Sequence, residues 1–278
     1  MPNKHLLKRK IRKLTRNKIN CELRKQPMKQ NNNNIPKLRF PEFSDVWENR
    51  KLGEITIWSS GGTPPKDNPL YWDGEIPWIS ASSMRGIEYF NSELKITDLG
   101  LKKGSKLARK GSLLILVRGS MLFNKIPIGI ATQDISFNQD VKSIDVDIKN
   151  DNKFTLYWFI FSENVILSLV SGTGIGAGKL DLSDLKNLSI YLPSLPEQTK
   201  IATFLTAVDD KFTQQKKKKE LLEQYKKGLM QQIFSQKLRF KKEDGTNYPD
   251  WEEKKLGEVA IKVSSNISAN AIEENTGI

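Results

Sequence analysis

The chain has 278 residues, 37 % hydrophobic and 28 % charged, with a formal charge of +13 at pH 7, which suits one large or two ordinary globular domains. Its single cysteine, Cys21, and single histidine, His5, both lie in the first 34 residues. The rest of the chain therefore has no intrachain disulfide, no Cys/His zinc site and no histidine-activated nucleophile.

The charge is unevenly placed. Residues 1–34 carry eleven Lys and Arg against one acid, Glu22, a charge of +10, and the other 244 residues share only +3. This basic stretch ends in four asparagines, Asn31–Asn34, and is read as a disordered extension outside the fold or as an arm touching nucleic acid. It has no apolar core or cleavage site for secretion. With no membrane span evident and no disulfide framework, the expected location is the cytoplasm. The most apolar window, Phe154–Val170, is interrupted by Ser162-Glu163-Asn164 and is short for a bilayer.

Folded sequence is expected from Ile35. Glu54–Ser59 alternates like a strand and is broken by Gly61-Gly62-Thr63-Pro64-Pro65; Ile76–Ser80 follows the turn at Tyr71–Gly74. Leu113–Val117 is continuously apolar, the mark of a strand buried on both faces. Ile126–Ala131 and Val141–Val146 predict further strands, and Phe154–Val170 predicts a helix. Gly172–Gly178 is a glycine loop, Leu180–Leu185 a helical turn and Leu188–Leu192 a last strand. The fold class expected is α+β, short strands with a few helices, followed by a long coiled-coil-type helix.

That helix is predicted over residues 196–234. Pro196 and Glu197 are first-turn residues, and Gly is absent until Gly228. At 1.5 Å per residue it would run roughly 58 Å. Ile201, Leu205, Val208, Phe212, Leu222, Leu229 and Ile233 form an apolar seam, interrupted by Gln215, Lys219 and Lys226. So long a stripe implies a partner helix, the other reading being a helix folded back on its own domain. Lys216–Lys219 read as a solvated face, with phosphate contact as the alternative.

Several motifs fail as chemistry. Gly172–Leu180 lacks the glycine and the Ser/Thr of a phosphate loop, those places holding Thr173 and Leu180. Pro249-Asp250 and Glu252-Glu253-Lys254 contain pieces of a metal-dependent nuclease site, but the acids lie too close in sequence. No catalytic constellation and no metal or cofactor site emerges. What remains are groups of hydroxyls and cations at strand ends: Ser80, Ser82, Ser83 and Arg85; Arg118, Ser120 and Lys125; Thr173 and Lys179. They suit contact with phosphates and base edges, as well as ordinary exposed polar roles.

The chain also repeats itself. Lys-Leu-Arg-Phe stands at 37–40 and again at 237–240, and Trp-Glu-x-x-Lys-Leu-Gly-Glu opens at both Trp47 and Trp251. A period near 200 is that of a whole domain plus a connector, not of a solenoid. With Gly62–Pro65, Tyr71–Ile79, the run Leu188–Gln198 and the segments 201–209 and 221–228, these features resemble the DNA-specificity subunit of a type I restriction–modification enzyme.

The resemblance covers about residues 35–278 and implies a non-catalytic protein without cofactor. Such subunits read a bipartite double-stranded DNA target with two recognition domains. Their long helices act as a ruler and dock modification (methyltransferase) subunits, within a complex that includes restriction subunits. On that basis 35–192 is expected to be a recognition domain, 193–236 the first conserved helix and 237–278 the start of an incomplete second domain. The 1–34 extension has no place in the family pattern. Two forms are open: a half-subunit that pairs with a second copy and reads a symmetric site, or a truncated remnant that only binds modification subunits. In the first, 241–278 would be an unfolded tail.

Overall fold

The computed structural model describes residues 36, 38–174 and 176–262, so the basic extension 1–34 and the last sixteen residues of the expected tail lie outside the described residues. The chain divides into two units, one up to Lys211 and one from Phe212.

The first unit is α+β. Its centre is a five-stranded sheet in the order Thr56–Ser60, Val141–Val146, Leu113–Leu116, Ile128–Ala131, Glu88–Tyr89. Leu113–Leu116 is fully buried, as its unbroken apolar run requires. Two antiparallel neighbours flank it, and the short strand Glu88–Tyr89 adds in parallel at the edge. A second sheet runs Lys95–Ile96, Trp72–Ile79, Ile135–Phe137, Lys106–Ala108. There Ile135–Phe137 lies parallel to Trp72–Ile79.

Element boundaries depart from expectation where tertiary contacts decide. Leu52–Glu54 is a 3-10 turn, so the first predicted strand starts at Thr56. The predicted helix 154–170 is two helices, Asn152–Phe161 and Glu163–Ser168, broken at the buried Ser162. Asp151 caps the first of these by accepting the Phe154 N–H at 2.9 Å. The glycine loop is carried on a hairpin, Ser171–Gly172 with Gly178–Lys179, to which Arg118–Gly119 adds a third strand.

The long helix spans Leu195–Phe234. Its first turn is built into the first unit. Glu197 is fully buried; Arg39 donates to it through Nε at 2.7 Å and Nη2 at 2.6 Å, and Trp47 Nε1 donates at 3.3 Å. The buried Gln198 accepts the Asp151 N–H at 2.9 Å and donates to Asn150 Oδ1 at 3.1 Å and Pro193 O at 2.9 Å. By sequence Glu197 is a first-turn acid suited to a helix N-terminus. Its buried bidentate pairing is a stronger tie.

The second unit holds the rest of that helix and the repeated motif. Arg239, the counterpart of Arg39, bonds Asp250 at 2.7 Å and the carbonyls of Tyr248 and Pro249. Trp251, the counterpart of Trp47, meets Phe234 edge-on with ring centroids 6.2 Å apart. Of the segment expected as an unfolded tail, residues 241–262 contain an isolated bridge between Lys241 and Asn247 and one helical turn, Leu256–Val259. Among the described residues no helix is long and apolar enough to cross a membrane.

Candidate nucleic-acid interface

Two of the sequence-predicted polar groups, Ser80–Arg85 and Arg118, follow strand ends that are tied to one turn, Asn138–Asp140, between the strands Ile135–Phe137 and Val141–Val146. Asn138 is buried and holds the turn from inside: its Oδ1 accepts the N–H groups of Asp140 and Val141, both at 3.1 Å. Its own N–H donates to Ile79 O at 2.9 Å, and the Val117 N–H donates to Asp140 O at 2.8 Å. The turn thus ties the end of the Trp72–Ile79 strand to the end of the Leu113–Leu116 strand.

A third loop joins there. The Gly62 N–H donates to Phe137 O at 2.9 Å, and the Thr63 hydroxyl donates to the Gln139 amide oxygen at 2.7 Å. Both glycines are required by space. A Cβ on Gly61 would lie 2.1 Å from Phe137 O, and one on Gly62 2.1 Å from Gly104 O. Backbone atoms on both sides cannot yield, so Gly62→Ala is expected to cost about 1–3 kcal/mol of stability. A lower urea midpoint at unchanged slope would show it; an unchanged midpoint would mean that the loop moves freely.

Arg118 and Lys179 face each other in register on the three-stranded hairpin sheet. Lys179 Nζ lies 2.6 Å from Asp181. Arg118 is exposed and has no ion pair among the described residues. Thr173 closes the glycine loop, donating its N–H and its hydroxyl to Ala177 O, each at 2.9 Å, while Gly174 and Gly176 sit at φ 77° and 78°. The left-handed conformation explains both glycines: a side chain there would be strained. Ser120 opens the 3-10 turn Ser120–Phe123, which packs on the hairpin; a Cβ on Gly178 would touch Leu122 Cβ at 3.0 Å. Ser120 and Lys125 are both exposed.

The Ser80–Arg85 group leaves the neighbouring strand at the same end. Ser83 is structural: its hydroxyl donates to Ser80 O at 3.1 Å and accepts the Ser80 N–H at 3.0 Å. The Ser80 and Ser82 hydroxyls lie 3.0 Å apart, and the exposed Arg85 follows before Gly86 reverses the chain at φ 77°. The structure therefore places the Ser80 group and the Arg118/Lys179 pair on either side of the Asn138–Asp140 turn. Sequence order had left them separate.

Three participants were not singled out as site residues from sequence: Gln139, Lys142 and Ser60. Lys142 Nζ donates to Ser60 Oγ and to Gln139 O, both at 2.8 Å. Burial lowers its pKa from the ordinary lysine value, and the charge of nearby Arg118 adds to that, against the opposing pull of Asp140. The signal available was a polar triplet, Asn138-Gln139-Asp140, between two apolar runs. Among the described residues no cluster of three or more His, Cys, Asp or Glu is placed to hold a metal.

The helix seam divides between the units. In the first, Ile201 packs on that unit's own core, Leu205 is half-buried and Val208 is exposed. Ile201, expected to face a partner helix, is thus covered by its own domain. Nearby, Phe204 meets Phe40 edge-on, and the Tyr157 hydroxyl donates to Asp209 at 2.8 Å. In the second unit Phe212 and Leu222 are 77 % and 56 % exposed, and Leu229 and Ile233 are half-buried.

Residues 44–224 match the family model of the type I restriction modification DNA specificity domain. Over 248 residues the chain is 31 % identical to the type I restriction enzyme MjaIX specificity subunit of Methanocaldococcus jannaschii, covering 83 % of this chain and 54 % of that protein. It is 33 % identical over 177 residues to the EcoR124I/EcoR124II specificity subunit of Escherichia coli, covering 62 % and 43 %. A chain solved in work on assembly and conformational transition of the type I R-M system superposes with a TM-score of 0.51 at 19 % identity, over 83 % of this chain and 56 % of that one, which shows a common fold. The chain spans about half the length of the curated relatives it matches.

Proposed function

The chain belongs to the type I restriction modification DNA specificity family, and we propose that its first unit reads one half of a bipartite duplex DNA target. Specificity subunits are non-catalytic, in accord with the lack of any catalytic constellation in the sequence. The observation that carries the reading is the gathering of Arg118, Lys142, Lys179, Gln139 and the Ser80–Ser82 hydroxyls around one rigid turn. Cations there suit phosphates, and amide and hydroxyl groups suit base edges. The domain plan that goes with it is a recognition domain over 35–192, a conserved helix over 193–236 and the opening of a second recognition domain over 237–278. In this plan the seam from Val208 to Ile233, exposed at Val208, Phe212 and Leu222, docks modification subunits or the helix of a second copy.

The test is the mass of the chain in solution, alone and with a modification subunit, together with binding to a randomised duplex pool at about 150 mM salt, where nonspecific phosphate binding is weak. A complex that enriches one sequence is the expected result. A complex that forms and enriches none would leave an assembly role and remove the DNA-reading one.

A further inference from the structure

We infer that Gln139 is a base-reading residue of this interface, pairing with the major-groove edge of an adenine and oriented for it by Thr63. The inference rests on the DNA-reading function proposed above and names one of its specificity determinants.

Gln139 is exposed at the tip of the turn that all three loops share. Both its backbone and its side chain are held. Its carbonyl accepts Lys142 Nζ at 2.8 Å, and its amide oxygen accepts the Thr63 hydroxyl at 2.7 Å. Thr63 is fixed in turn, because Gly62 donates to Phe137 O and the following Pro64 is buried, its Cα only 2.8 Å from where a Cβ on Gly104 would stand. A side chain ordered before binding loses little rotamer freedom on contact.

The chemistry selects the base. A carboxamide offers one donor and one acceptor side by side, the complement of adenine N7 and N6–H. The Gln139 oxygen uses one lone pair on Thr63 and keeps the second for adenine N6–H, while its NH₂ is left to donate to N7. The Val117 N–H donates to Asp140 O at 2.8 Å, which sets the residue before Arg118 beside the residue after Gln139. A cation suited to phosphate thus flanks the amide, with Lys142 beside it.

The experiment compares the full chain with its Gln139→Ala and Thr63→Val variants, each in complex with a modification subunit, on a randomised duplex pool at about 150 mM salt. The wild type is then measured on its selected duplex with 7-deazaadenine at each adenine in turn. One A·T position is expected to become degenerate with Gln139→Ala while the others keep their preference, and to weaken with Thr63→Val. Removing N7 at that position should weaken the wild type by about five- to a hundredfold. The inference is overturned if no single 7-deazaadenine substitution weakens wild-type binding. It is equally overturned if Gln139→Ala leaves the selected sequence unchanged or lowers affinity for all sequences alike, the mark of a residue that only ties two loops together. If the wild type enriches no sequence, the DNA-reading function fails first and this inference with it.

Discussion

Gln198→Leu is expected to lower the stability of the first unit by about 3 kcal/mol, as several hydrogen-bonding groups lose their partner at a buried site at about 1–3 kcal/mol each. The side chain is 1 % exposed and makes three hydrogen bonds. Its oxygen accepts from Asp151 N, and its NH₂ donates to Asn150 Oδ1 and Pro193 O. Leucine has a similar volume but neither donor nor acceptor, so the Asp151 N–H and the Pro193 carbonyl stay in place with nothing to bond. Asp151 is also the cap of the helix Asn152–Phe161, so the damage should spread to that helix. A chemical denaturation curve followed by near-ultraviolet signal from Trp47 and Trp158 would read it. An unchanged midpoint would mean that the helix start is held by Glu197 alone.

The second large effect concerns salt. If Arg118, Lys142 and Lys179 each touch a phosphate, replacing all three by alanine should reduce the slope of log affinity against log salt by about 2.7, since each contact releases roughly 0.9 counterion. Arg118 should contribute fully because it has no protein partner of opposite charge among the described residues. Lys179, 2.6 Å from Asp181, must leave or share that acid, so Lys179→Ala alone should reduce the slope by less than Arg118→Ala alone. Binding across a salt series measures both. A slope that does not move would place the phosphates elsewhere, and an equal loss at every salt concentration would point to misfolding of the hairpin.

The parts of this fold that could be read in advance were those whose residues carry their own pattern. Leu113–Leu116 announces a doubly buried strand, and the helix from Leu195 announces itself by the absence of breakers. The strands Glu88–Tyr89, Lys95–Ile96 and Arg118–Gly119 could not be seen, because two residues carry no period and exist only through their neighbours. The same holds for the candidate site. Arg118 and Lys179 stand out as cations beside breaks in structure, but their pairing is a register across about sixty residues of chain. Gln139 and Lys142 carry no such mark, because each is ordinary alone. What distinguishes them is the arrival of Thr63, Ser60, Ile79 and Val117 at one turn from distant parts of the sequence. Glu197 was placed correctly at a helix start, yet nothing local could show that Arg39, 158 residues earlier, would reach it.

The strand Glu48–Lys51 pairs with Ser189–Leu192, and Arg39 with Glu197, so the earliest described segment of the first unit closes against its latest. Such closure must absorb the entropy of a loop of about 150 residues before it returns any contact energy. On a ribosome the strand Glu48–Lys51 and Arg39 have no native partner until residues 189–197 have left the exit tunnel. Until then the Arg39 guanidinium stays in solvent, and the nascent domain is an unsealed ring that chaperones or proteases can enter.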